Sequence, residues 1–275
     1  MKDMRGTTAL VTGASRGIGV HIARALVKEG ANLSLAARSE AELEVVRKEM
    51  ASLGVKAIAT RCDVTNAEDR ATLIERTQAE LGPIDILINN AGIETVSRFH
   101  EADEDDLVRT LDVNLVAAML LTRAVLPGML ERERGHIVNI ASGAGKVGVP
   151  YAVAYATSKH GMVGLTNSLR CEYHKSPVGF SVVCPGFVTE TGMYARWEDE
   201  GAKAPRISGR STPEKVAEVV ITCIRKNRSE VLVNTPPMRP LVVLANIAPR
   251  ITPRMMKLFG YTRTFERATE VAGRM

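Results

Sequence analysis

The chain has 275 residues, of which 45% are hydrophobic, and its formal net charge is +5. This length and composition suffice for one large domain with a substantial core, and they do not require a second domain. The net charge lies entirely in residues 236–275, which hold seven Lys/Arg and two Glu, whereas residues 1–235 hold 29 basic and 29 acidic residues. Because the positive charge is confined to this tail, the composition argues against a nucleic-acid-binding domain.

Apolar runs alternate with amphipathic stretches through most of the chain. We predict strands near residues 7–12, 32–37, 56–60, 84–89, 135–141, 179–184 and 230–234, with helices between them. Two of the helices have capping-box starts, Ser39-x-x-Glu42 and Thr65-x-x-Glu68. Gly54 and Gly82 mark their ends. This alternation predicts a Rossmann-type, doubly wound parallel α/β sheet of about seven strands, with helices on both faces, in a single domain.

The first predicted strand leads into a glycine-rich turn. The segment Thr12-Gly13-Ala14-Ser15-Arg16-Gly17-Ile18-Gly19 follows the apolar residues 8–11 and opens a helix that ends near Gly30. Glycines there let the backbone approach a pyrophosphate, and the free N–H groups at the helix start receive its charge. The spacing differs from the common Gly-x-Gly-x-x-Gly fingerprint, but its place between strand and helix predicts a dinucleotide site.

The end of the second predicted strand bears on the choice of cofactor. Arg38 stands there, and a guanidinium binds a 2′-phosphate through paired donors, whereas a carboxylate would instead accept from a ribose 2′-hydroxyl. Arg16 in the glycine-rich turn offers a second positive charge. Glu40 lies near the acidic position, but its place in the first turn of a helix is equally explained by the helix dipole. The pattern favours NADP(H) over NAD(H).

Three side chains indicate the chemistry. Ser142 follows the apolar strand 136–141, at the carboxyl end where parallel sheets hold ligands. Tyr155 and Lys159 are four residues apart, so they share one face of a helix. A nearby cation favours phenolate and is expected to lower the pKa of the tyrosine from about 10 toward the working range. A proton donor, a tuning cation and a hydroxyl that holds a carbonyl oxygen point to carbonyl/alcohol redox chemistry.

Taken in order, these motifs resemble those of the short-chain dehydrogenase/reductase family over roughly residues 5–235. The glycine-rich turn matches the family's cofactor loop, and Asn89-Asn90-Ala91-Gly92 matches its fourth-strand motif. The residues that match its catalytic tetrad are Asn114, Ser142, Tyr155 and Lys159. Pro185-Gly186, followed by Thr189, matches a later turn that contacts the cofactor.

The resemblance implies a role for each matched residue. Lys159 is expected to bind the nicotinamide ribose as well as to tune Tyr155, and Asn114 to hold a water between the lysine and solvent. Asp63 is expected to meet the adenine, with Val64 beside it; alternatively, Asp63 only caps its turn. The expected cofactor contacts are Gly13, Ser15, Arg16, Gly17, Ile18, Gly19, Arg38, Ser39, Asp63, Val64, Asn90, Ala91, Gly92, Tyr155, Lys159, Pro185, Gly186, Val188 and Thr189. The family also implies a homodimer or homotetramer, with the helices around Asn114 and Tyr155 as contacts.

The cysteines and histidines show neither metal-ligand spacing nor a disulfide framework. The four cysteines, Cys62, Cys171, Cys184 and Cys223, are scattered, and no histidine pair has the His-x-x-x-His spacing. The start of the chain, residues 1–5, lacks the apolar segment of a signal peptide. We therefore expect a reduced, cytoplasmic protein without a catalytic metal.

The segment after Pro185 is predicted to cover the substrate. Residues 186–194 lead into a polar stretch with Gly201, Pro205 and Gly209, which is typical of a mobile lid. Apolar candidates for the pocket wall are Val147, Val149, Tyr151, Met193, Tyr194 and Trp197. As a group they suggest an apolar or acyl-type substrate, although each is also explained by ordinary packing.

The tail, residues 236–275, extends beyond the catalytic region 1–235 and departs from the family pattern. Its apolar run, residues 241–248, is too short to span a bilayer. Three interpretations stay open: a substrate cover for a lipid-like ligand, an oligomer contact, and an amphipathic element on an anionic membrane. Pro240, Pro249 and Pro253 interrupt a continuous amphipathic face, so the first two are favoured over membrane contact.

The sequence as a whole predicts an NADP(H)-dependent oxidoreductase that interconverts a ketone and a secondary alcohol, with Tyr155 as general acid and base. The substrate is a small carbonyl or alcohol compound, either an acyl-carrier-linked 3-oxoacyl group or an apolar ketone such as a steroid. The alternative is a regulatory protein that senses NADPH on the same fold without turnover. The presence of all four tetrad residues argues against that alternative.

Overall fold

The computed structural model describes residues 1–205 and 208–272. Within them the strands are β1 (Thr8–Thr12), β2 (Asn32–Ala37), β3 (Ala57–Arg61), β4 (Ile84–Asn89), β5 (His136–Ile140), β6 (Gly179–Pro185), β7 (Phe187–Val188), β8 (Arg210–Ser211) and β9 (Glu230–Val233). Seven of them form one parallel sheet in the order β3-β2-β1-β4-β5-β6-β9, while β7 and β8 pair separately. The predicted seven-stranded doubly wound sheet is therefore confirmed, and two of its predicted strands, 32–37 and 84–89, have the observed bounds.

The helices connect these strands and continue into the tail. They are α1 (Ile18–Lys28), α2 (Glu40–Ser52), α3 (Ala67–Leu81), α4 (Glu104–Leu111), α5 (Ala117–Glu131), α6 (Val153–Glu172), α7 (Gly192–Asp199), α8 (Pro213–Lys226), α9 (Arg239–Ile247), α10 (Thr252–Leu258) and α11 (Tyr261–Ala272). Helices cover both faces of the sheet, so its strands read as continuous apolar runs rather than alternating ones.

The sheet has a hydrophobic core on each face, and neighbouring residues of one strand pack into different cores. In β1, Val11 packs with α1, α2 and α8, while Leu10 packs on the other face with α3 and α5. A buried polar chain crosses the second face: the Nδ2 atom of Asn89 donates to Oδ1 of Asn139 at 2.8 Å, and Nδ2 of Asn139 donates to Thr166 in α6 at 2.9 Å. Because these groups lie away from water, the bonds fix α6 against β4 and β5.

The two predicted capping boxes differ in outcome. Ser39 does stand at the start of α2, but its side chain makes no capping hydrogen bond. The start at Thr65 is wrong by one residue, because Asn66 caps α3 by accepting from the N–H of Asp69 at 3.0 Å. The hydroxyl of Thr65 donates instead to the carboxylate of Asp63 at 2.7 Å. The glycine stops are confirmed, since Gly54 and Gly82 have φ values of 90° and 86° just past α2 and α3.

A continuous helix runs from Glu104 to Glu131 and includes a π-helical turn, Asp112–Val116, between α4 and α5. Within the described residues it is the one helix that is long and apolar enough to cross a membrane. Its Leu121 and Val125 are buried in the core against the sheet, as expected of a core helix in an α/β domain. The π turn contains the buried Asn114, and such turns frequently lie at functional sites.

The tail folds back over the segment that follows β6. Trp197 in α7 and Phe265 in α11 meet edge-on, with ring centroids 5.4 Å apart. Tyr194 and Tyr261 are buried in the same aromatic cluster, and both pack against the ring of Phe187. Aromatic packing of this kind stabilises the contact beyond simple burial, so α7 and α11 form one layer above the carboxyl ends of the strands.

Candidate active site

A cavity of about 750 Å³ lies along the carboxyl ends of the strands β1 to β6. Of the predicted site residues, it is lined by Gly13, Ser15, Arg16, Gly17, Ile18, Arg38, Ser39, Asp63, Val64, Asn90, Ala91, Gly92, Ser142, Tyr155, Lys159, Pro185, Gly186 and Val188. The remaining three, Gly19, Asn114 and Thr189, lie outside its wall. Residues separated by nearly the whole catalytic region therefore meet in one space.

The glycine-rich turn forms a cradle that larger side chains would fill. Gly13 has a φ of 65°, and a Cβ there would lie 2.9 Å from the Cα of Ala91. A Cβ on Gly19 would overlap the carbonyl oxygen of Gly13, so this glycine serves the packing of the turn rather than the cavity wall. Gly17 precedes α1 with a φ of 64° and leaves the first N–H groups of that helix open. These features fit a dinucleotide pyrophosphate.

The turn is held to the end of β4 by reciprocal hydrogen bonds. The hydroxyl of Thr12 accepts from the N–H groups of Asn90 at 3.0 Å and of Ala91 at 3.1 Å. The side-chain Nδ2 of Asn90 donates in return to the carbonyl oxygens of Thr12 and Gly13, at 2.9 and 3.0 Å. The fourth-strand motif thus fixes the shape of the glycine-rich turn.

The far end of the cavity holds the residues expected to choose the cofactor. Arg38 is exposed and lines the cavity with Ser39, whereas Glu40 starts α2 and lies outside the wall. Asp63 lines it too, but its Oδ1 already accepts from the N–H and the hydroxyl of Thr65 at 3.0 and 2.7 Å. Asp63 therefore caps its turn, as the alternative interpretation stated, and the other carboxylate oxygen is the one left for a ligand.

The predicted proton donor and its partners come together in the middle of the cavity. Ser142 follows β5, and Tyr155 and Lys159 lie on the inner face of α6. The ammonium of Lys159 donates to the carbonyl oxygen of Ile140 at 2.9 Å and lies 5.6 Å from the centroid of the Tyr155 ring. Gly145 lets the turn after Ser142 pack closely on α6, because a Cβ there would lie 2.6 Å from the Lys159 carbonyl oxygen.

The direction of the tyrosine pKa differs from the one predicted from the spacing. Burial raises the pKa of Tyr155 above its ordinary value, and the carboxylate of Glu94 raises it further, while a hydrogen bond with Ser142 lowers it. Burial also lowers the pKa of Lys159 to about 8, against an opposing effect of Glu94. The predicted lowering of the tyrosine pKa is therefore wrong for the protein alone, because desolvation and the Glu94 carboxylate outweigh the hydrogen bond with Ser142.

Asn114 lies behind the cavity and holds its wall. Its Oδ1 accepts from the N–H of Ile93 at 2.8 Å, and its Nδ2 donates to the carbonyl oxygen of Ile93 at 2.9 Å and to Ser158 at 3.0 Å. This side chain thereby links the π turn, the segment after Gly92 and α6. Its expected role toward a water stays a prediction.

Two further expectations need correction. Thr189 bonds through both its N–H and its hydroxyl to the carbonyl oxygen of Ser211, because β7 pairs with β8, and Thr191 lines the cavity instead. Tyr151 lies outside the cavity wall, since its hydroxyl donates to Glu266 in α11 at 3.3 Å. The other predicted wall residues, Val147, Val149, Met193, Tyr194 and Trp197, do line the cavity.

Sequence reasoning missed Glu94 and the contribution of the tail. Glu94 lines the cavity two residues past Gly92, and burial raises the pKa of its carboxyl to about 8, while Lys159 and Arg196 lower it. The tail adds four apolar residues to the wall, Met238, Met256, Tyr261 and Phe265. Tyr261 and Phe265 are spaced so that they share one helical face, and this spacing could have predicted the contribution of the tail. This placement agrees with the interpretation of the tail as a cover for the substrate.

The cavity combines a cradle for a dinucleotide with a tyrosine, a lysine and a serine at its centre, which is the site of a nicotinamide-dependent oxidoreductase. The model of the short chain dehydrogenase family matches residues 7–201. The chain belongs to the short-chain dehydrogenase/reductase family and is an oxidoreductase.

Individual relatives extend this finding. "Ketoacyl reductase HetN" of a Nostoc species is 42% identical over 265 residues, which cover 94% of this chain and 91% of the relative. A crystal structure of an actinorhodin polyketide ketoreductase variant with NADPH superposes with a TM-score of 0.77 at 35% identity, covering 85% of this chain and 98% of the other. A Burkholderia phymatum family member in complex with NAD gives a TM-score of 0.81 at 27% identity, covering 91% and 96%.

Proposed function

We propose that this protein uses NADPH to reduce a ketone on an apolar, acyl-type substrate to a secondary alcohol, with Tyr155 as the proton donor. The observation that carries the proposal is the shared cavity, in which Tyr155, Ser142 and Lys159 stand between the glycine cradle and an aromatic, methionine-lined wall. The names of the Nostoc and actinorhodin relatives, a ketoacyl reductase and a polyketide ketoreductase, support an acyl ketone.

The state of the tyrosine suits the reductive direction. Since burial raises its pKa, the phenol is protonated at neutral pH and can donate to the carbonyl oxygen as that oxygen gains charge. NADPH, when bound, would supply the hydride from its nicotinamide. Ser142 orients the oxygen, and the phenolate left behind recovers a proton from the Lys159 ammonium, whose pKa is lowered to about 8.

The cradle and the cationic end specify how the cofactor would be held. The glycine-rich turn and the N-terminus of α1 fit its pyrophosphate, and Arg38 with Arg16 fits a 2′-phosphate. Within the described residues neither arginine forms an ion pair with a carboxylate of the protein, so both are available to a phosphate, although Glu42 and Asp63 line the same cavity. These cations support NADPH over NADH.

The apolar end of the cavity indicates the substrate. Trp197, Tyr261 and Phe265 offer rings, and Met238 and Met256 offer flexible thioether chains that adapt to different shapes. Such a wall binds a hydrophobic body while the carbonyl reaches the tyrosine. A sensor that binds only NADPH has no use for this second compartment, so turnover is the better account of the geometry.

The decisive experiment follows NADPH oxidation with apolar ketones and 3-oxoacyl thioesters for wild type and two matched variants. Tyr155→Phe removes the proton donor and should lower kcat at least 100-fold while leaving NADPH binding, measured by cofactor fluorescence, within about twofold. Tyr151→Phe also removes a tyrosine hydroxyl but lies outside the cavity, and it should keep full activity. Activity retained in Tyr155→Phe, or wild type that binds NADPH but turns over none of the ketones, would contradict the proposal.

Cofactor choice has its own test. Arg38→Ala should weaken NADPH binding about 10- to 100-fold and NADH binding hardly at all, because the guanidinium acts on the 2′-phosphate alone. Arg61→Ala, an exposed arginine of β3 outside the cavity, is the control. Equal losses for both cofactors in Arg38→Ala would refute this assignment.

A further inference from the structure

The outer side of the α9–α10 segment carries apolar side chains that face solvent. They are Val243, Leu244, Ile247, Ile251 and Leu258, and together we call them the tail patch. Ile247 and Leu258 are 78% and 80% exposed, although α9 does bury Val242 and Ala245 against the protein. Such a concentration of exposed apolar residues within one short segment is typical of an interaction site.

The charges within the segment that carries the tail patch have one sign. The exposed cations Arg239, Arg250, Arg254 and Lys257 lie in the same segment, and the sequence has no Asp or Glu from residue 231 to residue 265. In the part of the chain that the structure describes, none of these four cations pairs with a carboxylate. The patch is thus an apolar surface rimmed by unneutralised positive charge.

The positions of the prolines in the tail are compatible with an amphipathic surface, although the sequence alone suggested that they interrupt it. Pro240, Pro249 and Pro253 stand at the starts of α9, of a short 3-10 turn and of α10, where the missing N–H costs nothing. The prolines therefore divide the tail into short helices, each with its own exposed apolar side, instead of breaking one long amphipathic face.

We propose that the tail patch docks this protein onto the surface of an anionic lipid membrane. Apolar side chains enter the boundary between headgroups and acyl chains, and the surrounding cations contact acidic headgroups. A second copy of the chain fits less well, because a self-complementary contact would bring like cations together with no acidic residue between them. Charge complementarity therefore selects the anionic bilayer.

Docking would also orient the cavity toward the lipid. Met238 and Met256 belong to the same segment as the tail patch, and they line the cavity from inside. The wall of the substrate compartment and the docking surface are thus two sides of one layer. That a lipid-like ketone enters through this layer rests on the proposed function, whereas docking itself does not.

The test is flotation of the full chain with vesicles of phosphatidylcholine alone or of phosphatidylcholine mixed with phosphatidylglycerol. The protein should float with the mixed vesicles and much less with the neutral ones, and added salt should release it. In the variant I247S/L258S, each of the two substitutions should lower the affinity for the mixed vesicles by about tenfold or more. R254Q/K257Q should lose about fivefold per charge.

The matched control is V45S/K48Q on α2, which also replaces one exposed apolar residue and one exposed lysine, and it should float like wild type. Turnover of a water-soluble ketone should be the same in all variants, because none of the changed residues lines the cavity. Equal flotation with neutral and mixed vesicles, or patch variants that float like wild type, would overturn the proposal. So would patch variants whose only change, by light scattering, is dissociation of an oligomer. If wild type floats but reduces no ketone, docking stands and the proposed function fails.

Discussion

Thr12→Val tests how the glycine-rich turn is held in place. Valine nearly matches threonine in volume, so the change removes the hydroxyl and leaves the packing of this 1% exposed side chain intact. The N–H groups of Asn90 and Ala91, at 3.0 and 3.1 Å from that hydroxyl, then lose their acceptor. Each buried donor left without a partner costs about 1–3 kcal/mol. Because Asn90 and Ala91 are only half-buried, we expect about 3 kcal/mol in total rather than the maximum.

The assay is urea unfolding followed by far-UV circular dichroism, with Thr12→Ser as the control. With an m-value of about 3 kcal/mol/M, the expected loss lowers the urea midpoint of Thr12→Val by about 1 M. Thr12→Ser keeps the hydroxyl and loses one methyl group, so it should cost about 1 kcal/mol. NADPH affinity should fall in the valine variant as well. If valine destabilises the protein no more than serine does, the hydroxyl does not anchor the turn and the reasoning is refuted.

Three further changes probe the cavity. Glu94→Gln removes a carboxylate that raises the pKa of Tyr155, so the rise of alcohol oxidation with pH should move to lower pH; an unchanged pH profile would show that the two groups do not interact. Gly145→Ala places a methyl group 2.6 Å from the Lys159 carbonyl oxygen and should displace Lys159, so kcat should fall at least tenfold, and wild-type kcat would contradict this close approach. Phe265→Ala removes a ring from the cavity wall, so KM should rise at least tenfold for bulky apolar ketones but not for small ones. Steady-state kinetics measures both values, and an equal change of KM for the two kinds of ketone would contradict this role of Phe265.

Much of the fold and of the cofactor cradle followed from the sequence because the relevant signals are local. Buried strands such as β2 and β4 are short apolar runs, and Gly13 and Gly17 stand directly between a strand and a helix. Once the strands are parallel, their carboxyl ends lie at one edge, so Ser142 and Tyr155 had to approach the cradle. The cavity wall confirms that placement of the side chains, while their chemical roles stay predictions.

The errors arise where position depends on contacts between distant segments. Thr189 and Thr191 are equivalent in sequence terms, and only the pairing of β7 with β8 decides which of them faces the cavity. The pKa of Tyr155 depends on how completely the surrounding layers exclude water, which spacing to Lys159 does not reveal. Glu94 lies in an irregular segment without periodicity, so no pattern indicated which way its carboxylate would point.

Because α11 packs over α7, the residues at the centre of the site and part of the cavity wall come from different parts of the chain. Residues before 236 supply the tyrosine, the lysine and the cradle, whereas Met256, Tyr261 and Phe265 add one wall of the cavity, which we propose holds the substrate body. Exchange of the tail between homologues should therefore alter which ketones are accepted while the chemical step and the cofactor requirement persist. Such a chain can acquire new substrates by recombination at a single junction, without any change in the residues that perform the reaction.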